Sequence, residues 1–372
     1  MKVLRGFGRS ISSAVAHSAV KSPANAAAPA VQRPAVQRPA ACALTIGNFD
    51  GVHRGHQAMI ALLKSEAVHR GVPSCVVTFE PHPRDYFASR AGQSSLAPAR
   101  IGTLRDKLTE LAHCGVDQVV VLPFNAALAA LPAQTFIDQV LLAGLGAQYV
   151  LVGDDFRFGA QRAGDYAFLD AAGERQGFDV ARMQSYEVHG LRVSSSAVRD
   201  ALAQGRMQDA AKLLGRPYSI SGHVVHGRKL GRQLGISEAT AQGFRTLNLH
   251  FSSRTYSRGV AWKPAASGIF AVLVHGLVDQ PLQGVANLGI RPSLDPTDVN
   301  GGRVLLETHC LDWPTSLGLD AGYGKIIRVE LLHKLHDELK YDGLDALTQG
   351  IAKDCADARA FFAASTSQTP RI

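Results

Sequence analysis

Short apolar runs alternate with segments of helical periodicity between residues 42 and 152. The runs are rich in Val, Ile and Leu, and the intervening segments carry apolar residues at helical spacing on one face. The predicted strands are Cys42–Ile46, Ser74–Phe79, Gln118–Leu122 and Tyr149–Val152, and the predicted helices are 56–70, 104–114 and 134–145. This alternation predicts an α/β fold, a doubly wound parallel sheet with helices on both faces.

The pattern changes after about residue 216, where glycine and β-branched residues become more frequent. Short, closely spaced strands separated by turn signals are predicted at 219–225, 268–275, 283–288, 303–309 and 325–333. They favour an antiparallel β-barrel or sandwich. Apolar residues at helical spacing over 343–364 predict a terminal amphipathic helix. We therefore expect two domains, 42–216 and 217–372, joined near Gly215–Tyr218.

The first 41 residues differ from the rest of the chain. Residues 8–41 are rich in Ala, Ser, Pro and Arg and contain the repeat Val-Gln-Arg-Pro-Ala at 31–35 and 36–40. A segment with so few large apolar residues has little to pack, which predicts a disordered insertion. Met1–Gly6 could form a short first strand before it. The lack of acids is typical of an organelle transit peptide, but no apolar signal segment is present, and we expect a cytoplasmic protein.

Charge and cysteine content exclude several classes of protein. The formal net charge is +8, but residues 1–49 hold six of the 39 basic residues and no acid, so the remainder carries 33 basic against 31 acidic residues, about +2. This balance argues against a nucleic-acid-binding surface. No apolar stretch is long enough to span a membrane. Five widely spaced cysteines predict neither a disulfide framework nor a zinc site.

Each predicted strand of the first domain runs directly into a polar motif. The four motifs are 47–56 (GNFDGVHRGH), 80–83 (EPHP), 123–125 (PFN) and 153–159 (GDDFRFG). Because the carboxyl ends of parallel strands meet at one edge of a sheet, these motifs are expected to converge on a ligand. The pattern indicates a binding site that differs from the common phosphate loops, since neither GxxxxGK[ST] nor GxGxxG follows a strand.

The first motif has features of a phosphate-binding site. Gly47 and Gly51 permit a tight turn from strand to helix. His53 and His56 lie three residues apart at the start of the following helix, where imidazole and backbone N–H groups can donate to a phosphate and stabilise developing charge. One histidine near a helix start is commonly a surface residue, but the pair in this context is far more specific.

The HxGH motif resembles that of the nucleotidyltransferase superfamily, which includes class I aminoacyl-tRNA synthetases. A synthetase would also need a lysine-rich KMSKS loop, and the sequence has none. The motifs 47–56, 79–83 and 153–159, with 193–199 (VSSSAVR), together closely resemble those of bacterial bifunctional riboflavin kinase/FAD synthetase. The resemblance extends from Cys42 to about Phe362.

For the first domain the resemblance implies an FMN adenylyltransferase, with catalytic His53 and His56 on the ATP phosphates. It implies nucleotide or phosphate contacts for Gly47, Asn48, Phe49, Asp50, Gly51, Ser194, Ser195, Ser196 and Arg199. Flavin contacts are expected for Asn125, Asp155 and Phe156. Two structural alternatives remain open: Asp155 as a helix cap or turn residue, and the serine run as a cap of a helix at 196–204.

For the second domain the resemblance implies riboflavin kinase. A neutral alcohol must lose a proton, for which a carboxylate base is suited; Glu307 is implied as the base, and its alternative is a surface-facing strand residue. Thr246 and Asn248 are implied ligands of Mg2+, the expected cofactor together with ATP. The implied phosphate flap contains Gly222, Gly227, Arg228, Gly231 and Arg232.

Three features depart from the family pattern. Arg245 replaces the usual proline of the metal motif, extra residues stand at 236–243 and 252–260, and His336 replaces an arginine. The first two lie near the implied kinase site and bear on whether the kinase is active. The third stands where the family has a flavin or loop contact.

The resulting functional hypothesis is conversion of riboflavin to FMN and of FMN to FAD, with ATP, riboflavin, FMN and FAD as the small-molecule partners. The oligomeric state is left open. The alternatives are a monofunctional FMN adenylyltransferase with an impaired kinase domain, a flavin-binding or regulatory protein without turnover, and an unrelated nucleotidyltransferase with an appended β-barrel.

Overall fold

The computed structural model describes residues 1–6, 41–188, 191–225, 246–251, 262–291, 303–318 and 320–367. It divides into two compact units. The first comprises Met1–Phe49, Gly55–Tyr86 and Leu108–Glu187, and the second comprises the described residues of Asp50–Arg54, Phe87–Lys107 and Val188–Ile372. Residues 7–40 lie outside the described residues, and they include all but residue 41 of the segment 8–41 that was predicted to be disordered.

A six-stranded sheet forms the centre of the first unit. Its strands are β1 Lys2–Arg5, β2 Cys42–Ile46, β3 Ser74–Glu80, β4 Gln118–Pro123, β5 Ala147–Gly153 and β6 Asp179–Met183. They are ordered β1-β4-β3-β2-β5-β6 across the sheet, and all of the strand pairs are parallel. The predicted first strand is present as β1, which pairs with β4. Strand β6 was not predicted.

Helices follow the strands in the order expected of a parallel α/β fold. They are α1 Arg54–Arg70, α2 Pro83–Arg90, α3 Leu104–His113, α4 Ala126–Ala129, α5 Ala133–Phe136 continued by a π-helical segment Ile137–Leu142, and α6 Tyr166–Gln176. Neighbouring residues of β2 enter two different cores. Leu44 belongs to the same core as Leu141 of the π-helical segment, whereas Ala43 packs with Leu63 of α1. The sheet is therefore covered on both faces, as predicted.

The second unit contains a closed antiparallel barrel of six strands. A two-stranded sheet, β7 Glu187–Val188 and β8 Leu191–Arg192, precedes it in the chain. The barrel strands are β9 Tyr218–Val225, β10 Thr246–His250, β11 Gly268–His275, β12 Leu282–Arg291, β13 Arg303–Cys310 and β14 Ile326–His336. Their order is β10-β13-β12-β11-β14-β9. The sequence left barrel and sandwich open, and the closed strand order shows a barrel.

Among the described residues, the second unit also contains helices α7 Ser195–Ala203, α8 Met207–Leu214 and the terminal α9 Leu344–Ser367. The barrel interior is filled by apolar side chains such as Phe270 and Leu306. Helix α9 packs Ala358 and Phe362 against Ile269 and Ala271 on the outer face of β11. The predicted terminal amphipathic helix is confirmed. In the described part of the chain, no helix has the length and apolar character needed to cross a bilayer.

Candidate active sites

The connection between β2 and α1 is a turn with unusual backbone geometry. Phe49, Gly51 and Val52 have positive φ angles of 48°, 82° and 41°. A Cβ atom built on Gly51 would lie 2.8 Å from Cγ2 of Ile101, so only glycine fits there without displacement. A positive φ is rare for a β-branched residue such as Val52 and must be stabilised by its surroundings.

Arg216 supplies part of that stabilisation. Its Nη2 donates to the carbonyl oxygen of Gly51 at 2.8 Å, and its Nη1 donates to the carbonyl oxygen of Val52 at 3.3 Å. The sequence indicated only a domain boundary at this position. Because 164 positions separate Arg216 from Val52, no local pattern could have revealed the contact.

The two histidines of the motif have different surroundings. His53 is buried, with 6% of its surface exposed. Burial lowers its pKa to about 4, against the opposing effect of the Asp50 charge, and the Arg199 charge lowers the pKa further. His53 is therefore neutral at pH 7. His56 lies in the first turn of α1, where its ring contacts that of Phe49 at a centroid distance of 4.9 Å.

Asp50 is part of the same turn and is almost completely buried, with 2% of its surface exposed. Its Oδ2 accepts a hydrogen bond from Arg199 Nη2 at 2.6 Å, and its Oδ1 lies 3.7 Å from Arg100 Nε. Burial alone would raise the Asp50 pKa, but the charges of Arg100, Arg199 and Lys107 outweigh burial and lower it. The carboxylate is thus ionised and internally paired.

The serine run begins helix α7. Ser194 is the N-cap residue, and its Oγ accepts a hydrogen bond from the backbone N–H of Ala197 at 3.2 Å. Ser195 donates from Oγ to the carbonyl oxygen of Asp50 at 3.0 Å. Ser196 is exposed. The capping alternative is thus observed for Ser194, while Ser195 and Arg199 are both bonded to Asp50.

Residues predicted to contact flavin follow β4 and β5 at the same edge of the sheet. Asn125 is the N-cap of α4, and its Oδ1 accepts from the N–H of Leu128 at 3.0 Å. Asp155 is exposed. Phe156 stacks on Phe158, with centroids 5.3 Å apart and an interplanar angle of 18°. Strands β3 and β2 lie between β4 and β5 in the sheet, so these residues border the edge at two separate places.

Gly47 and Asn48 follow β2 directly. The carbonyl oxygen of Asn48 accepts a hydrogen bond from Thr78 Oγ1 at 3.2 Å. This bond joins the start of the motif to strand β3. The first residues of the turn therefore lie at the carboxyl edge of the sheet, as predicted.

A row of polar residues crosses three neighbouring barrel strands. Asn248 of β10 is directly opposite Glu307 of β13, which is directly opposite Asn287 of β12. The flanking residues Leu247 and Leu306 belong to the barrel interior. Because side chains alternate along a strand, the polar row faces outwards from the interior. Asn248 is nevertheless buried and Glu307 half-buried, so this part of the outer face is covered.

The other residues predicted to form the kinase site lie partly inside and partly outside the described residues. Thr246 begins β10, is exposed and pairs with His309 of β13. Gly222 lies in β9, opposite Ile327. The other predicted flap residues, the replaced proline position and both extra segments lie outside the described residues: Gly227, Arg228, Gly231, Arg232, Arg245, 236–243 and 252–260.

Comparison with known proteins assigns a family. A model described as FAD synthetase matches residues 35–197, and a model described as riboflavin kinase matches residues 214–362. The bifunctional riboflavin kinase/FMN adenylyltransferase of Escherichia coli K12 is 43% identical, over 86% of this chain and 93% of the relative. The chain belongs to the bifunctional riboflavin kinase/FMN adenylyltransferase family.

A further relative agrees with this membership, and a solved structure shares the fold. The enzyme of the same description from Pseudomonas fluorescens is 43% identical over 87% of this chain and 94% of the relative. A crystal structure titled as a macrolide-efflux protein from Streptococcus pneumoniae is 25% identical, with a TM-score of 0.63 over 86% of this chain and 94% of that one. The fold therefore extends over both domains.

The donor atoms on β10 fit a divalent metal ion, which an ATP-using kinase generally requires. The Thr246 hydroxyl and the Asn248 amide both offer oxygen, which hard divalent cations prefer. Asn248 Nδ2 donates to the carbonyl oxygen of Thr246 at 3.4 Å, so the amide oxygen is the atom left for a ligand. Among the described residues, no cluster of three or more His, Cys, Asp or Glu side chains is arranged to hold a metal.

Sequence reasoning missed the buried cations around Asp50 and the amide beside Glu307. Arg100 and Lys107 are buried but occur in a segment without a recognisable motif. No role was predicted for Asn287. Their importance comes from pairing across large sequence separations, which a single sequence does not display.

Proposed function

We propose that this chain phosphorylates riboflavin with ATP to give FMN and then transfers the adenylyl group of a second ATP to FMN, giving FAD and pyrophosphate. The match of one chain to both family models carries the proposal. The curated relatives are named as bifunctional enzymes, which supports this function over a monofunctional adenylyltransferase. We assign adenylylation to residues 42–216 and phosphorylation to residues 217–372.

Adenylylation requires positioning and charge neutralisation more than proton transfer. A phosphate oxygen of FMN attacks the α-phosphorus of ATP, and the bond to the departing pyrophosphate breaks. The attacking oxygen is already anionic at neutral pH, so no general base is needed. Neutral His53 donates one ring N–H to a phosphate, His56 donates from the first turn of α1, and Arg199 neutralises the leaving pyrophosphate.

Phosphorylation of riboflavin begins from a neutral alcohol and does require a base. Glu307 accepts the proton of the 5′-hydroxyl as that oxygen attacks the γ-phosphorus of ATP, and ADP leaves. The position of Glu307 between Asn248 and Asn287 supports this role, because amide N–H groups beside a carboxylate can fix its orientation.

We further propose that Thr246 and Asn248 hold Mg2+. When bound, the metal would neutralise the charge that develops on the phosphate oxygens. The flap residues Gly222, Gly227, Arg228, Gly231 and Arg232 are proposed to cover the phosphates. Asn125, Asp155 and Phe156 remain the proposed flavin contacts of the adenylyltransferase.

The cytoplasm is the proposed compartment, because ATP is available there. Its reducing conditions fit the five cysteines, none of which forms a disulfide. The proposed partners are the substrates and products ATP, riboflavin, FMN and FAD.

Two single substitutions separate the activities. Glu307→Gln should lower riboflavin phosphorylation by about 100-fold or more, because general base catalysis contributes that much, and should leave FAD formation from supplied FMN intact. His56→Asn should lower FAD formation from supplied FMN and leave riboflavin phosphorylation intact. His69→Asn, an exposed histidine on the same helix α1, is the control and should change neither rate. A rate of FMN formation unaltered by Glu307→Gln would exclude Glu307 as the base.

A flavin-binding protein without turnover gives a different result. It would bind FMN in every variant and form no FAD in any of them. The same assays therefore distinguish binding from synthesis.

A further inference from the structure

We propose that Asp50 is a positioning residue of the adenylyltransferase, which acts through Arg199 and Ser195 and does not itself contact the nucleotide. The inference deepens the proposed function and rests on it. It also gives Asp50 a different role from the phosphate contact expected from its place in the motif.

The surroundings of the Asp50 carboxylate argue against direct contact with ATP. Its Oδ2 is 2.6 Å from Arg199 Nη2, and its Oδ1 is 3.7 Å from Arg100 Nε. The backbone N–H of Ile101 donates to both oxygens at 3.3 Å. Both carboxylate oxygens are therefore occupied by groups of the protein itself. An exposed carboxylate at this position would moreover repel the phosphates.

The contacts of Arg199 leave part of its guanidinium available. Nε donates to the carbonyl oxygen of Ala99 at 2.6 Å, and one N–H of Nη2 donates to Asp50. A guanidinium has five N–H donors in a rigid plane. Within the described part of the chain, these two bonds are the ones formed by the Arg199 guanidinium. They fix its plane, while its remaining three donors can bind an anion.

Asp50 also anchors the start of the same helix through its backbone. Its carbonyl oxygen accepts from Ser195 Oγ at 3.0 Å. The side chain and the backbone of one residue thus hold two predicted pyrophosphate ligands of α7, which lie 145 and 149 positions away. Fixing these groups before the substrate arrives lowers the cost of orienting them during the reaction.

A double-mutant cycle in the full chain tests the coupling. Asp50→Asn, Arg199→Ala and the double variant are compared for kcat and KM in FMN- and ATP-dependent pyrophosphate release. Each single variant should lose about 100-fold, chiefly in kcat, as expected when a transition-state contact is misplaced. The double variant should lose no more than Arg199→Ala alone. Multiplying effects would show that Asp50 acts independently of Arg199 and would overturn the inference.

Chemical rescue provides a readout that a merely structural role would not affect. Millimolar guanidinium chloride should restore part of the activity of Arg199→Ala with saturation, because Asp50 still offers its carboxylate, and should not restore the double variant. Equal rescue of both variants, or rescue of neither, would contradict the inference. If Asp50→Asn does not fold, Asp50→Glu, which keeps the charge but displaces it relative to Arg199, takes its place in the cycle, and effects that multiply with those of Arg199→Ala would overturn the inference.

Asp209→Asn is the matched control, since Asp209 pairs with Arg206 in the same unit but on the exposed surface. It should leave the kinetics unchanged. Wild-type protein that makes no FAD from FMN would refute the proposed function itself. An active wild type with independent effects of Asp50 and Arg199 would refute only the positioning role.

Discussion

His53, which we propose to be catalytic, lies in an environment that disfavours its charged form. Its pKa is lowered to about 4, first because the ring is buried. In an unfolded chain a histidine has a pKa of about 6.5. Between these two values the unfolded chain binds the extra proton and the folded chain does not, so folding becomes less favourable as the pH falls through this window.

We therefore expect the free energy of unfolding to decline between about pH 6.5 and about pH 4 partly because of His53. His53→Gln should reduce this decline, since glutamine does not titrate. Urea unfolding of both proteins across the window measures the difference, with His69→Gln as the exposed control. Identical slopes for wild type and His53→Gln would show that His53 is not held neutral by the fold.

A second histidine, His336, has the opposite environment. Its Nδ1 lies 2.7 Å from the carbonyl oxygen of Asp337, and its Nε2 lies 2.7 Å from Oδ1 of Asp354 in α9. Because both partners accept hydrogen bonds, both ring nitrogens donate only when the imidazole is protonated. Burial alone would lower the His336 pKa, but the bonds to Asp354 and Asp337 outweigh burial and raise it.

This raised pKa predicts a stabilisation that is complete below about pH 6.5 and is lost as the pH rises through the pKa of the folded state. His336→Arg, which stays charged, should therefore gain stability relative to the wild type as the pH rises from about 6.5 through the folded-state pKa of His336. Unfolding measured at a series of pH values from about 6.5 upwards gives the comparison. A stability difference that does not change with pH would contradict protonation of the pair. Arginine at this position, which the resemblance implies for the family, would make this link between β14 and α9 independent of pH.

At the scale of elements, the turn between β2 and α1 depends on glycine at position 51. Gly51→Ala would force alanine into a positive φ of 82° and place its Cβ 2.8 Å from Ile101. Gly71 is a matched control, because its φ is also positive, at 66°, but nothing lies within 4 Å of its added Cβ. Both substitutions place alanine in a left-handed backbone conformation, but only Gly51→Ala brings the new Cβ into close contact with a neighbouring side chain.

We expect Gly71→Ala to cost about 1 to 2 kcal/mol of stability, the usual cost of a left-handed conformation. Gly51→Ala should cost about 1 to 3 kcal/mol more, as overpacking does, and should also lower FAD formation. Thermal or urea unfolding and the FMN assay measure the two effects. Equal losses in the two variants would show that the contact with Ile101 relaxes freely.

The same scale shows what the sequence could and could not predict. Buried strands such as Cys42–Ile46 were found because continuous apolar runs mark a parallel sheet. Strand β10 was missed although its residues alternate between polar and apolar, because it has only five residues and they were interpreted as a metal motif. The histidine motif was visible locally, whereas the roles of Asp50, Arg100 and Arg216 depend on contacts with distant residues, which local patterns do not encode.

At the scale of the whole molecule, one chain carries the parts of two different transfer chemistries. The HxGH turn holds a neutral histidine, and Arg199 of α7 is paired with the buried carboxylate of Asp50. The barrel offers a carboxylate between two amides. These two sets match the chemical needs of an anionic and a neutral nucleophile, and FMN is the product of one reaction and the substrate of the other.

The most direct test is a single incubation of the purified full chain with riboflavin, ATP and MgCl2, in which FMN and FAD are separated and quantified over time. We predict that FMN appears first and that FAD follows after a lag at the expense of FMN. FAD formed only when FMN is supplied would contradict the kinase assignment. No conversion of either flavin would contradict the account as a whole.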